Sequence, residues 1–193
     1  EKMALAYGKL IKETAKAAKA ENLTLTMAYH PGQDAAFSSK EFTKNVDRFH
    51  LMSYDHCQAL PCNHSSLASA EAHIKAAIKH LPAHKIVLGL PAYGRKMQNP
   101  GEVQTYAELA KTLPCKLDAE DDARDGHFFN GPYTARLKAR LAERYGLAGV
   151  FVWEAGQDLP ATHEGSLLRS LWTERARINS DRSSRKAEAS KSE

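Results

Sequence analysis

The sequence predicts an α/β fold built on a parallel β-sheet. Four short, mostly apolar segments at residues 23–28, 48–55, 85–91 and 149–152 are typical of strands buried on both faces. Segments with the apolar periodicity of a helix separate them, and this alternation favours parallel strands joined by right-handed crossovers. Because ligands bind at the carboxyl ends of parallel strands, the residues that follow each strand are the first functional candidates.

The helices between these strands have recognisable start and stop signals. Residues 3–21 place Leu and Ile among Lys, Glu and Ala, which predicts an amphipathic helix, and Asn22 tolerates the left-handed conformation that ends one. Gly146 breaks the last long helix before the fourth strand. The other predicted helices cover residues 66–80, 105–113, 133–145 and 166–172.

The composition is that of an ordinary globular domain, with 42% hydrophobic and 26% charged residues in 193. Residues 174–193 are Arg, Ser, Lys and Glu with almost nothing apolar, so we expect one domain over residues 1–173 followed by a disordered charged tail. Much of the net charge of +4 lies in that tail and therefore indicates no nucleic-acid partner. No apolar run approaches the roughly 18 residues of a membrane span, so no membrane partner is expected.

The three cysteines leave two interpretations open. Cys57 and Cys62 lie close together, so they are either reduced thiols or a loop-closing disulfide in an oxidising compartment. A zinc cluster that includes His64 is the less favoured alternative, because the spacing fits no standard pair of ligand pairs. We therefore predict no metal and no cofactor.

Three strands end in polar or aromatic residues that suit a binding site. Tyr54 and Asp55 follow the second strand, Tyr93 and Arg95 follow the third, and Trp153 ends the fourth. Each has an ordinary interpretation as well: Asp55 caps the next segment, the third pair lies in a solvated loop, and Trp153 fills a core. Met52 repeats the orientation of Tyr54 along its strand and lines either a cleft or the core.

These segments resemble four ordered motifs of the family 18 glycoside hydrolases, the chitinases and chitinase-like lectins. Met-Ser-Tyr-Asp at residues 52–55 is similar to the family's Met-x-Tyr-Asp motif, and residues 89–95 are similar to its Gly-x-Pro-x-Tyr-Gly-Arg strand. Residues 149–158 look like its last strand, and residues 129–132 match a segment before its last helix. The resemblance covers residues 23 to about 160.

The resemblance implies a fold, a substrate and roles for the candidate residues. The four strands would be the fifth to eighth of a (β/α)8 TIM barrel, which makes the chain its carboxyl-terminal half. The ligand would be chitin or an N-acetylglucosamine oligosaccharide, whose own acetamido oxygen attacks the anomeric carbon. As catalytic-site residues, Tyr54 and Asp55 would hold that acetamido group; Trp153 would stack beneath the reacting sugar, and Tyr93, Arg95 and Met52 would flank it.

One family feature is missing from the sequence. The catalytic acid of the family is a Glu that ends an Asp-x-x-Asp-x-Asp-x-Glu run on the fourth strand, and no such run occurs in the 193 residues. Glu154 does not replace it, because neighbouring residues of a strand face opposite sides. We therefore expect the chain to begin after that motif, which leaves open whether the protein is an enzyme.

The sequence leaves three functional hypotheses. The first is part of a chitinase-type hydrolase that uses the substrate-assisted retaining mechanism, and the second is a non-catalytic oligosaccharide-binding lectin of the same fold. The third is an unrelated α/β binding protein that uses Tyr54 and Asp55 for another ligand. Four strands leave two open edges, so we also expect self-association or a complementary amino-terminal half-barrel as partner. The chain begins at Glu1 with no visible signal peptide, and a secreted or extracellular location is expected from the resemblance alone.

Overall fold

The computed structural model describes residues 2–57, 59–111 and 122–189. The helices are α1 (Lys2–Ala20), α2 (Lys40–Asn45), α3 (Leu67–Ala77), α4 (Tyr106–Ala110), α5 (Pro132–Arg144) and α6 (Leu167–Ala189). The strands are β1 (Thr26–Tyr29), β2 (Arg48–Leu51), β3 (Ile86–Pro91), β4 (Tyr93–Lys96), β5 (Val103–Thr105), β6 (Ala123–Arg124), β7 (His127–Phe128) and β8 (Gly149–Trp153).

The main sheet has four parallel strands in the order β1-β2-β3-β8. Phe49 lies opposite Met27 on one side and Ile86 on the other, and Leu88 lies opposite Val150. The predicted parallel α/β architecture is therefore confirmed. The observed strands begin up to three residues later than predicted, since β1 starts at Thr26 rather than at residue 23.

The two faces of this sheet differ in how they are covered. Phe49, Leu51 and Leu88 point to one face, are fully buried, and pack with α1, α2, α3 and α5 in one hydrophobic core. Side chains alternate between the faces of a strand, so Ala28, His50 and their neighbours point to the other face. Ala28 is exposed and His50 is only half-buried, so the described helices leave this part of the second face uncovered.

A second, small antiparallel sheet follows β3, in the order β5-β4-β7-β6. Its strands were not predicted, because they are two to four residues long and carry no apolar alternation. Gly94 lies inside it, and a Cβ atom there would come within 2.7 Å of Leu109 Cδ1 and 3.0 Å of Phe128 O. This sheet lies beside the carboxyl ends of the main strands, because β4 follows β3 after a single residue.

The sequence predicts a disordered tail from residue 174 onward, whereas helix α6 continues from Leu167 to Ala189, and residues 190–193 lie outside the described residues. Glu174 on this helix is buried and accepts a 2.6 Å hydrogen bond from Arg140 on α5. Two turns further on, Arg182 donates to both carboxylate oxygens of Glu143 at 2.6 and 2.8 Å. Two of the charges that suggested disorder, those of Glu174 and Arg182, are thus paired with α5, and α6 continues through residue 173.

The start of α6 is fixed by a single buried carboxylate. Asp158 accepts hydrogen bonds from the backbone N–H groups of Leu167 and Leu168 at 3.0 and 2.9 Å, and from the Ser166 hydroxyl at 2.9 Å. The first N–H groups of a helix have no partner within the helix, and a carboxylate also suits the positive end of the helix dipole.

Among the described residues, no helix has the length and the apolar content needed to cross a membrane.

Candidate functional site

The candidate site lies where β2 ends and the chain continues through Tyr54 and Asp55. The Tyr54 ring is buried and makes edge-on contacts with the rings of Tyr93 and Phe151, each with centroids 6.3 Å apart. A glycine makes this packing possible: a Cβ atom on Gly89 would lie 2.7 Å from Tyr54 Cε1 and 2.8 Å from Phe151 Cζ. The Tyr54 hydroxyl has no hydrogen-bond partner in the part of the chain that the structure describes.

Asp55 adopts a backbone conformation that residues other than glycine seldom adopt. Its φ is +66°, in the left-handed region, and this turns the chain sharply away from the direction of β2. Such a conformation persists only where the surrounding contacts stabilise it, and it is concentrated at binding and catalytic sites. The side chain of Asp55 supplies these contacts.

Three donors converge on one oxygen of the Asp55 carboxylate. Oδ1 accepts from Arg95 Nε at 2.5 Å and from the Tyr93 hydroxyl at 2.8 Å, and His64 Nδ1 lies 3.2 Å away. None of the hydrogen bonds among the described residues uses Oδ2, and a third of the Asp55 side chain remains exposed. The carboxylate is therefore held in one orientation with its second oxygen open.

These contacts decide the charge of Asp55. Burial opposes its ionisation, but the hydrogen bonds from Arg95, His64 and Tyr93 outweigh burial and hold the pKa of the carboxyl well below its usual range. Burial and the neighbouring Asp55 charge raise the pKa of Tyr54 to about 12. At neutral pH the site thus presents a carboxylate beside a protonated phenol.

His64 is held as a neutral ring that donates to Asp55. It is buried and stacks on the Tyr93 ring with centroids 5.4 Å apart, and burial lowers its pKa although Asp55 opposes that shift. Because an ionised carboxylate only accepts, Nδ1 carries the proton. Nε2 is then unprotonated, and it has no hydrogen-bond partner among the described residues.

Trp153 and Met52 lie at the same end of the sheet but do not join this cluster. Trp153 ends β8, with 56% of its surface exposed, and its carbonyl oxygen accepts from Ala92 N at 2.8 Å. Met52 is half-buried just beyond the end of β2. No hydrogen bond or ring contact links either residue to Asp55 within the described chain. The structure thus brings Tyr54, Asp55, Tyr93 and Arg95 together, with Trp153 and Met52 nearby at the same end of the sheet.

Two residues behind the site were not identified from the sequence, His64 in this role and Lys138. Lys138 on α5 is fully buried, and its ammonium donates to Ser65 and Asn130. A signal for it exists in the sequence, because Lys138 occupies the buried stripe of α5. A lysine at an apolar position of an amphipathic helix indicates a buried polar contact.

The loop after Asp55 is closed by a disulfide between Cys57 and Cys62, whose Cα atoms are 5.2 Å apart. The disulfide interpretation is therefore the one that the structure supports. In the described residues no group of three or more His, Cys, Asp or Glu side chains has an arrangement suited to a metal ion. The backbone N–H of Cys62 also donates to Met97 O at 2.7 Å, which fastens the loop to the end of β4.

A family model described as "Glycosyl hydrolases family 18" matches residues 2–158. No curated protein sequence matches the chain. The match spans all four strands of the main sheet and the whole candidate site.

Solved structures of this family share the fold. A chitinase from the chitin utilization locus of Flavobacterium johnsoniae has a TM-score of 0.74 and 24% identity over 87% of this chain and 55% of its own. A chitinase from Bacteroides thetaiotaomicron has a TM-score of 0.68 and 24% identity over 79% of this chain and 52% of its own. A chitinase from Cycas revoluta, solved in complex with (GlcNAc)3, has a TM-score of 0.69 and 19% identity over 87% of this chain and 62% of its own. The chain thus spans between about half and about three fifths of the length of these three structures.

Proposed function

Because the chain belongs to family 18 of the glycosyl hydrolases, we propose that it forms the sugar-binding carboxyl-terminal half of a chitinase-type (β/α)8 barrel. In this proposal Tyr54 and Asp55 hold the acetamido group of an N-acetylglucosamine residue. The family match is at odds with the third sequence hypothesis, an α/β binding protein unrelated to this family.

The observation that carries this proposal is the division of labour between the two oxygens of Asp55. Oδ1 receives three protein donors, whereas Oδ2 receives no hydrogen bond from the part of the chain that the structure describes, and the carboxylate stays ionised. An acetamido N–H is a single donor that fits one open carboxylate oxygen. The hydroxyl of Tyr54, the preceding residue, has no hydrogen-bond partner among the described residues and suits the acetamido oxygen. In this proposal the two side chains bind the two ends of one amide.

This arrangement supports the substrate-assisted reaction that the family resemblance implies. The acetamido oxygen attacks the anomeric carbon, and positive charge develops on the acetamido group as the glycosidic bond breaks. Asp55 stabilises that charge because its carboxylate is fixed and ionised before the reaction starts. Arg95, Tyr93 and His64 hold it in place. Protonation of the leaving oxygen requires an acid that this chain's motifs do not supply.

The half-barrel part of the proposal is supported by the sheet itself. Part of one face of the sheet is left uncovered at Ala28 and His50, and among the described residues β1 and β8 each have a partner strand on one side only. A closed barrel of eight strands has neither feature. A complementary set of four strands, preceding this one or supplied by another molecule, would cover the face and pair both edges.

A non-catalytic lectin of the same fold is the second candidate function. The 193 residues contain no Asp-x-x-Asp-x-Asp-x-Glu run, so the sequence of this chain is compatible with an enzyme and with a lectin alike. Both candidates require the same sugar contacts from this chain. They differ in the presence of a Glu on the complementary half, which the sequence of that half decides.

The two tryptophans of the chain provide a direct test of sugar binding. Trp153 and Trp172 are both exposed, at 56% and 70%, but only Trp153 lies at the end of the sheet that carries the candidate site. In the Trp172→Phe variant, triacetylchitotriose should change the emission of the remaining Trp153, because a sugar face stacks on the indole. The Trp153→Phe variant is the matched control and should give no response. An unresponsive Trp153, or equal responses from both, would count against the proposal.

A further inference from the structure

Lys138 is a buried lysine that has no carboxylate as a hydrogen-bond partner among the described residues. Its side chain is fully buried, and Nζ donates to Ser65 O at 2.9 Å, to Ser65 Oγ at 2.7 Å and to Asn130 Oδ1 at 2.7 Å. These contacts use all three N–H donors of an ammonium group. A buried charge is costly unless its contacts compensate it, so an ammonium among neutral acceptors requires an explanation.

The surroundings of Lys138 only partly stabilise its charge. Burial lowers the pKa of Lys138 to about 7, and the negative charge of Asp122 opposes this shift. The Asp122 carboxylate is itself engaged, since it accepts from Gly131 N at 2.8 Å and from Thr134 Oγ1 at 2.7 Å. Among the described residues, the hydrogen bonds of the Lys138 ammonium therefore go to neutral oxygens and not to a carboxylate.

The acceptors of Lys138 are connected to the candidate site. Ser65 is buried and directly follows His64, whose Nδ1 lies 3.2 Å from Asp55 Oδ1. The Ser65 hydroxyl also lies 3.3 Å from the carbonyl oxygen of Ser53, two residues before Asp55. Ser65 thus contacts Ser53, which precedes Asp55, and is bonded to His64, which contacts the Asp55 carboxylate. Lys138 donates to both the carbonyl and the hydroxyl oxygen of Ser65.

We propose that Lys138 is a positioning residue, which fixes Ser65 and thereby keeps His64 in hydrogen-bonding contact with Asp55. Asn130 fixes the ammonium from the side of α5, and its Nδ2 also donates to Ser65 O at 2.8 Å. The orientation of the open Asp55 oxygen then depends on a side chain that never reaches the ligand. The importance of that orientation for sugar binding rests on the proposed function, whereas the contact itself does not.

The test follows the imidazole Nδ1 proton of His64 by NMR in the 193-residue chain. When this proton is bonded to Asp55, its resonance lies downfield and its exchange with solvent is slow. In Lys138→Met, a neutral side chain of similar length, we expect the exchange rate to rise by about tenfold or more as the contact loosens. Loss of the Lys138 charge alone, acting through space, would leave this proton protected.

Lys85→Met is the matched control variant. The Lys85 ammonium also donates to two backbone carbonyls, Thr43 O and Val46 O, both at 2.8 Å, but below the opposite end of the sheet. The Lys85→Met substitution should leave the exchange rate of the His64 proton unchanged.

Ser65→Ala is a second test variant. It keeps the Lys138 ammonium and removes its contact with the Ser65 hydroxyl, so it should also raise the exchange rate of the His64 proton. This variant decides the question if Lys138→Met does not fold.

Wild-type exchange in Lys138→Met, or in Ser65→Ala where the first variant does not fold, would overturn the proposal. The affinity for triacetylchitotriose is measured separately on the same proteins. If the wild-type chain binds no sugar, the proposed function fails while the His64 result still decides the role of Lys138.

Discussion

Arg95 and Asp55 are 40 residues apart in the chain, and Arg95 Nε lies 2.5 Å from Asp55 Oδ1. Arg95 is on β4 of the small antiparallel sheet, whereas Asp55 follows β2 of the main sheet. This ion pair therefore joins the two sheets at the candidate site. It also orients the carboxylate that we propose to receive the acetamido group.

The first prediction concerns the charge of Asp55. Its pKa is depressed in the folded chain, so its contribution to stability is present above the unfolded pKa of about 4 and is lost as pH falls toward the folded pKa. Arg95→Gln should raise the Asp55 pKa and lower the free energy of unfolding at neutral pH by about 1 kcal/mol, since both side chains are partly solvated. Stability of the variant should then depend less on pH below about 4. Urea unfolding between about pH 2 and pH 7 measures this.

Lys96→Gln is the control for that experiment. Lys96 is the next residue along β4, and its ammonium lies 2.6 Å from Glu102 on an exposed surface. The Lys96→Gln substitution should leave the pH dependence of Asp55 ionisation as it is in the wild-type chain. Equal titrations of Asp55 in the Arg95→Gln variant and the wild-type chain would show that Arg95 does not hold the carboxylate.

The second prediction concerns Gly89, which makes room for the Tyr54 ring. Alanine at this position would place Cβ 2.7 Å from Tyr54 Cε1 and 2.8 Å from the carbonyl oxygen of Leu51, and backbone yields little. Gly89→Ala should destabilise the chain by about 1–3 kcal/mol and displace Tyr54. Gly101→Ala is the control, since its Cβ would meet only Asn99 Oδ1 at 3.6 Å. Similar unfolding midpoints for the two variants would refute this account of the packing.

The third prediction concerns the uncovered face and open edge of β1. An apolar open edge favours association with another strand, and an inward-pointing charge suppresses it. Ala28 is exposed on that face, so Ala28→Lys should reduce self-association of the chain in light scattering. Ala17→Lys, on the exposed side of α1, adds the same charge elsewhere and should not. A monomeric wild-type chain that unfolds independently of concentration would contradict the half-barrel proposal.

The main sheet was predictable from the sequence because each of its strands is a short apolar run followed by a turn or helix. The small sheet was not, since its strands are too short and too polar to show periodicity. The candidate residues Tyr54, Asp55, Tyr93 and Arg95 were identified individually, but their shared hydrogen bonds join segments far apart in the chain, which no local pattern encodes. The continuation of α6 beyond residue 172 was not predicted for a related reason, since Glu174 and Arg182 pair with residues of α5 that lie 34 and 39 positions away in the chain.

The open Oδ2 of Asp55 and the Tyr54 hydroxyl make recognition of the acetamido group the central claim. The deciding measurement is an NMR titration of the wild-type chain with two neutral β-1,4-linked trisaccharides, triacetylchitotriose and cellotriose. Cellotriose carries a hydroxyl group at each position where triacetylchitotriose carries an acetamido group. We expect triacetylchitotriose to shift the Asp55 and Tyr54 resonances and to bind about tenfold or more tightly than cellotriose. Cellotriose lacks the acetamido group and would leave the polar groups of Asp55 and Tyr54 without a hydrogen-bond partner. Equal shifts from both sugars, or none from either, would contradict this claim.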